Sequence, residues 1–329
     1  MATILKSLKK MSVIFVIFPL LIVYGCGGGG SSGGSPALSY TGITTQTPIT
    51  SGNGTVVTSQ AYKQGSTGGN LTGIAMQGGG VDPGIQPKSL VLSQIFIDSF
   101  NQVKIPSPSN LLTGAVVSKT DRVTGSCGGT LDRSMSIDDQ TGNFTGSATY
   151  TNYCSKTGTK AGTVSGTVNI SGSYDFNSSR ITTLKLSFSS LTVTSGSVSA
   201  TVSGDFTVNL QSTPVAITFN FLIQNDADKK VYWVQNGTIT IATGNGYVDV
   251  TMGGRVYLPD YGYVDISTPT PFRVMTNDSY PSSGVLILTG SNNSKARLTA
   301  LNNTTYQVDL DPAGTGTYVS GQTQNWSSI

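Results

Sequence analysis

Few side-chain types in this chain of 329 residues could carry chemistry. There is no histidine, and all 16 acidic residues are aspartate. Without imidazole there is no ready general base near neutral pH, no histidine metal ligand and no Ser-His-Asp combination. The aspartate pairs Asp138-Asp139, Asp226/Asp228 and Asp309/Asp311 are the nearest thing to paired carboxylates for glycoside hydrolysis. Each falls at an expected turn or strand end, where an Asp side chain hydrogen-bonds the local backbone. Asp309-Leu310-Asp311 opens like a calcium loop, but Ala313 and Ser320 stand where the pattern needs an oxygen ligand and a bidentate Glu. The glycine run 27–34 lacks the Lys-Ser/Thr ending of a phosphate loop. The expectation is no catalytic residue, no metal and no cofactor.

The aromatic residues offer one concentration, Tyr257, Tyr261 and Tyr263 close in strand order to Trp233. Such rings could stack sugars, and the alternative is that they are packed strand residues with hydroxyls at the rim.

The amino terminus reads as an export signal. Lys6, Lys9 and Lys10 precede an apolar run from Met11 to Gly25, shorter than the ~20 residues a spanning helix needs. The run ends in Val23-Tyr24-Gly25-Cys26, followed by glycines and serines. This resembles the lipobox of bacterial lipoproteins, although Tyr24 departs from the usual small residue. The resemblance implies cleavage before Cys26, lipid attachment to Cys26, and, with Gly27 rather than Asp next, delivery to the outer membrane on either its periplasmic or its surface face. Acyl chains contribute about 0.8 kcal/mol per buried CH₂, enough for stable anchoring when two or three are attached. The expected organisation is a signal peptide over 1–25, a Gly/Ser tether over 26–36, a loop-rich segment with one or two helices over 37–110, and a β domain over 111–329.

With Cys26 acylated, Cys127 and Cys154 remain as an even pair in an oxidising compartment. Turn residues Asp138 to Asn143 lie midway between them. In the antiparallel register that sets Cys127 opposite Cys154, Ile137 meets Phe144, Met135 meets Gly146, Arg133 meets Ala148 and Leu131 meets Tyr150. A one-residue slip would waste that match. The spacing therefore predicts a hairpin closed by a Cys127–Cys154 disulfide. No Cys-x-x-Cys or histidine favours a redox or zinc role.

The elements that position these residues are strands. Val164, Val168 and Ile170 share one parity, as do Val198, Ala200, Val202, Phe206, Val208 and Leu210, and again Val215, Ile217, Phe219 and Phe221. Alternation of this kind marks antiparallel sheets with one wet face. The parity change between Phe188 and Leu191 predicts a bulge near Ser189-Ser190. Short connections such as Gly244-Asn245-Gly246 join neighbouring strands. The fold class expected is all-β, an antiparallel meander of about a dozen strands, as an open sheet, sandwich or barrel, with one or two short helices packed on it. The helices fall at Pro87 to Asn101 and at Gly52 to Tyr62, with Gln64 to Gln86 as loop.

Two patches, Tyr40-Thr41-Gly42 with Ile49-Thr50 and Asn53, and Cys127-Gly128-Gly129 with Gly142 to Tyr150 and Asn152-Tyr153-Cys154, resemble uncharacterised β-rich lipoproteins of Gram-negative bacteria. That resemblance implies an envelope location and brings no activity. The formal charge of +3 includes Lys6, Lys9 and Lys10, so the chain without them carries equal numbers of cations and aspartates. No basic patch suggests nucleic acid. The expected role is structural or in interaction at the envelope, with the membrane as partner through the lipid, and an envelope protein or glycan as a further one. The alternatives are a carbohydrate- or surface-binding module using the tyrosines, and an Asp-dependent hydrolase.

Overall fold

The computed structural model describes residues 38–71 and 116–329, apart from 158, 159, 179, 196, 197 and 277. The segments expected to be signal peptide, lipobox and tether, and the helix expected at Pro87 to Asn101, lie outside the described residues.

The strands form one 14-stranded antiparallel open sheet in strict chain order, each hydrogen-bonded to the next. They are β1 Val116–Thr124, β2 Thr130–Asp138, β3 Asn143–Thr157, β4 Lys160–Asp175, β5 Arg180–Ser195, β6 Val198–Asn209 and β7 Val215–Asn225. The series continues with β8 Val231–Gly244, β9 Tyr247–Leu258, β10 Gly262–Met275, β11 Ser283–Thr289, β12 Lys295–Ala300, β13 Thr305–Asp311 and β14 Thr323–Asn325. A meander follows from the short turns, since all but two connections (276–282 and 312–322) are of two to five residues and can only return the chain alongside itself. The alternation read from the sequence gives the strands from β2 to β13 an apolar face. Leu131, Val164, Leu186, Leu191, Phe206, Val256, Leu286 and Leu298 are essentially inaccessible.

The hairpin register is the one expected, with Leu131 opposite Tyr150, Arg133 opposite Ala148, Met135 opposite Gly146 and Ile137 opposite Phe144. Cys127 and Cys154 form a disulfide, their Cα atoms 5.1 Å apart. Arg133 is 5% exposed on the apolar side, where the same register places it. It is accommodated there because Asp121 of β1 receives it in a two-pronged ion pair, at 2.8 and 2.5 Å.

One feature crosses the sheet from β3 to β11. In β3 the two residues Thr151 and Asn152 face a single residue of β4, in β5 Ser189 and Ser190 face one residue of β6, and in β8 Gln235 and Asn236 face one residue of β7. These bulges reverse the parity of their strands, so Leu184, Leu186 and Phe188 share the core with Leu191. The bulge expected at Ser189-Ser190 is thus one member of a row. The row continues through residues with positive φ: Asn152, Gly166, Gly204, Asn236, Gly254 and Gly284. A Cβ on Gly204 would stand 1.9 Å from the Asn220 carbonyl oxygen, so only glycine fits there. The result is a crease from β3 to β11, and bulges with glycine kinks are the usual means of bending long strands around a core.

The helix α1, Gly54–Leu71, starts two residues later than expected and extends nine residues further, so Gln64 to Leu71 is helix rather than loop. Thr50 and Asn53 set its start, each backbone N–H donating to the other's side-chain oxygen at 2.8 and 3.3 Å. Its extension follows from packing. Val57, Thr58, Ala61, Tyr62 and Gln64 form a buried stripe, and the helix lies on β8, β9, β12 and β13. Gly65 lets the helix approach Ile266 and Met252 closely, which outweighs the weak helix propensity of glycine. Among the described residues no helix is long and apolar enough to cross a membrane.

Candidate functional site

Trp233 on β8, Tyr257 on β9 and Tyr263 on β10 occupy directly opposed register positions, so three adjacent strands present one aromatic row. Their neighbours Val234, Val256 and Val264 are buried in the core, which places the row on the opposite face of the sheet. The Trp233 and Tyr257 rings stack with centroids 4.4 Å apart and planes 16° apart. Tyr257 and Tyr263 centroids are 5.2 Å apart.

The ring spacing is close to the distance between neighbouring strands, about 4.8 Å. The Trp233 and Tyr257 rings therefore stand face to face along the sheet, and Tyr263 is tilted by 50° against Tyr257. Tyr40, from the segment preceding α1, closes the row with its ring edge-on to Tyr257 at 5.4 Å and tilted against Trp233 at 6.1 Å. Arg255 lies over the Tyr263 ring, 3.9 Å from its centroid. The same guanidinium donates to Asp265 at 2.8 Å, which holds its pKa above the ordinary arginine value. Tyr257 is 7% exposed although it lies on the outer face, and its hydroxyl reaches Gln235 Oε1 at 3.2 Å. Burial, then the nearby Tyr257 and Asp260, push the Tyr40 hydroxyl up to about 12. Lys230 pairs with Asp260 beside the cluster.

A sugar platform needs an open ring face. Tyr257 has Trp233 on one side and Tyr263 on the other, and Tyr263 carries Arg255. The arrangement joins three strands and pins the segment that leads into α1. Ile43 N–H bonds Pro259 oxygen, and Thr47 N–H bonds Tyr263 oxygen at 2.9 Å. Gly262, at φ +104°, lets this segment pass, since a Cβ there would sit 2.2 Å from the Thr45 oxygen.

Of the four aromatic residues read from the sequence, three meet. Tyr261 does not: it sits in the turn before β10, where its N–H bonds the Leu258 oxygen, and it packs against the core instead. Sequence reasoning missed Tyr40 and Arg255. Arg255 carried a usable signal, because two residues before Tyr257 on a strand means the same face.

The aspartates serve local structure and strand pairing. Asp138 Oδ1 accepts the Gln140 and Thr141 N–H groups at 2.9 and 2.8 Å, which holds its carboxyl below the usual range. Asp226 accepts the Ser199 hydroxyl at 2.6 Å, and Asp228 the Lys230 N–H at 3.0 Å. Burial pushes Asp311 up, but Gly316, Thr315 and Gly314 N–H groups outweigh it and lower its pKa. Asp309 is lowered the same way, its burial overcome by Gln307, Arg297 and Gly321.

Five of the six arginines follow one rule. Arg122–Asp132, Arg133–Asp121, Arg255–Asp265, Arg273–Asp249 and Arg297–Asp309 are all pairs between neighbouring strands. Arg273 and Arg297 also cover the Tyr247 and Tyr318 rings, at 3.8 and 4.4 Å. Among the described residues no group of three or more Cys or Asp side chains is placed to hold a metal ion. Comparison of the chain with protein-family models, with curated proteins and with solved structures finds no match.

Proposed function

We propose that this protein is a lipid-anchored lipoprotein of the outer membrane whose β domain has a structural or interaction role at the envelope. The observation that carries the reading is the sequence Gly25-Cys26 at the end of a 15-residue apolar run behind three lysines, with a Gly/Ser tether after it. The site geometry supports it. The aromatic row and the arginine–aspartate pairs bind strand to strand, which suits a rigid scaffold joined to its lipid through a Gly/Ser segment.

The test is direct. Chain expressed in a Gram-negative host should begin at Cys26, carry the mass of the acyl groups on that residue, and fractionate with outer membrane. Cys26→Ser should move it to the soluble fraction. A chain that begins elsewhere, or an unmodified Cys26 on a membrane-bound protein, overturns the proposal.

A further inference from the structure

From the end of the sheet we infer that two copies of this chain associate through β1, antiparallel and edge to edge about a two-fold axis at Thr120. β1 is the terminal strand, and Val116, Ser118, Lys119, Thr120, Arg122 and Thr124 are all exposed. Among the described residues no strand pairs with its outer edge, and an edge nine residues long is a template for another strand.

The hydrogen-bonding phase of this edge can be read. Gly125 N–H bonds the directly opposed Gly129 oxygen, and the register runs from there through β1 without a shift. In an antiparallel pair bonded and non-bonded positions alternate. Positions 123, 121, 119 and 117 therefore spend their backbone groups on β2. Those of 124, 122, 120, 118 and 116 point away from the sheet.

A second β1 must bond these same positions. Set antiparallel with Lys119 opposite Lys119 or Asp121 opposite Asp121, the strands oppose like charges. Only the register that sets Thr120 opposite Thr120 brings each Lys119 to the other copy's Asp121. It also sets Ser118 against Arg122 and Val116 against Thr124.

The Lys119–Asp121 contact falls at a non-bonded position, where Cα atoms approach to about 4.5 Å and side chains meet most closely. Asp121 can take the lysine. Its carboxylate has about four acceptor sites, and Arg133 uses two. Lys119 forms no ion pair among the described residues. It stands on the core-facing side of the edge strand, opposite Met135. An inward lysine at an edge repels indiscriminate strand addition, so this edge admits a strand that brings a carboxylate to that position. Its own copy does. The near balance of cations and aspartates outside the signal segment imposes no net repulsion on the pair.

Thr120→Cys in the full chain, purified in detergent micelles and mildly oxidised, tests this. Opposed Cα atoms at a bonded position lie about 5.5 Å apart, within disulfide range. The expected result is a covalent dimer that reductant dissolves. Ser118→Cys should stay monomeric, because in this register its two copies lie about 13 Å apart along the strands. Lys119→Asp should lower the Thr120→Cys yield roughly tenfold, since each lost pair becomes a like-charge contact. A reactive but monomeric Thr120→Cys chain, equal cross-linking at Ser118→Cys, or indifference to Lys119→Asp overturns the proposal. The unsubstituted chain controls for Cys26. A Cys26→Ser/Thr120→Cys chain that cross-links while soluble keeps the dimer without the anchor, and a membrane-bound chain that does not cross-link keeps the anchor without the dimer.

Discussion

Replacing Cys127 and Cys154 together by alanine tests the hairpin and its energetics at once. The disulfide closes a loop with a sequence separation of 27 residues. The chain-entropy relation gives a loop of this length about 3.5 kcal/mol at 25 °C, arising almost wholly from restriction of the unfolded chain. In a domain of this size that corresponds to a fall of about 7–14 °C in Tm. The folded state should change little. The β2–β3 ladder is set by Leu131–Tyr150 and Ile137–Phe144, and Cys154 N–H bonds the Gly128 oxygen at 2.9 Å whatever the sulfurs do. Urea unfolding of the oxidised protein and the double variant supplies the free-energy difference, and amide exchange over β2 and β3 locates it. The expected outcome is a lower midpoint with an unaltered native exchange pattern. A difference below about 1 kcal/mol would refute the loop-entropy reasoning. Titratable thiols in an unreduced Cys26→Ser chain would refute the bond itself.

Two further expectations concern the crease and the aromatic row. Gly204→Ala and Gly246→Ala both place a side chain at positive φ, but a Cβ at 204 meets the Asn220 oxygen at 1.9 Å whereas one at 246 meets nothing within 4 Å. Gly246→Ala should cost about 1 kcal/mol of left-handed strain and Gly204→Ala at least about 2 kcal/mol more, read from denaturation midpoints; equal losses would mean the crease tolerates a side chain. The Tyr40 hydroxyl is raised in the folded state to about 12, so its contribution to stability is whole below about pH 10 and is lost as pH rises through 12. Tyr40→Phe should flatten the alkaline loss of stability between those values and remove a late step from the tyrosinate absorbance titration, and an unchanged titration would place Tyr40 in water.

Much of the fold was legible because its causes are local. Period-two alternation and mostly short turns dictate a meander, and the register of one hairpin can be found by matching apolar residues across Asp138 to Asn143. The crease was not legible beyond Ser189-Ser190. Gly166, Gly204 and Gly254 look like background in a chain with 41 glycines. Their meaning depends on which strand lies alongside: Gly204 matters because of Asn220, and Gly254 because of Asn236. The helix extent was missed for a similar reason. Gly65 weakens a helix in isolation and is needed only where Ile266 and Met252 press on it.

By itself the sequence determined the chemistry this protein lacks the side chains for, the strand periodicity, the cysteine pairing and the terminal lysine charges that resemble an export signal. Those follow from composition and from neighbours a few residues apart. Only the tertiary structure decided that Trp233, Tyr257 and Tyr263 close on one another beneath Tyr40, that Tyr261 joins the core, and that five of the six arginines each find an aspartate on a neighbouring strand. Those outcomes depend on register across several strands and on a segment about 190 residues distant, and no local pattern specifies where such a segment docks.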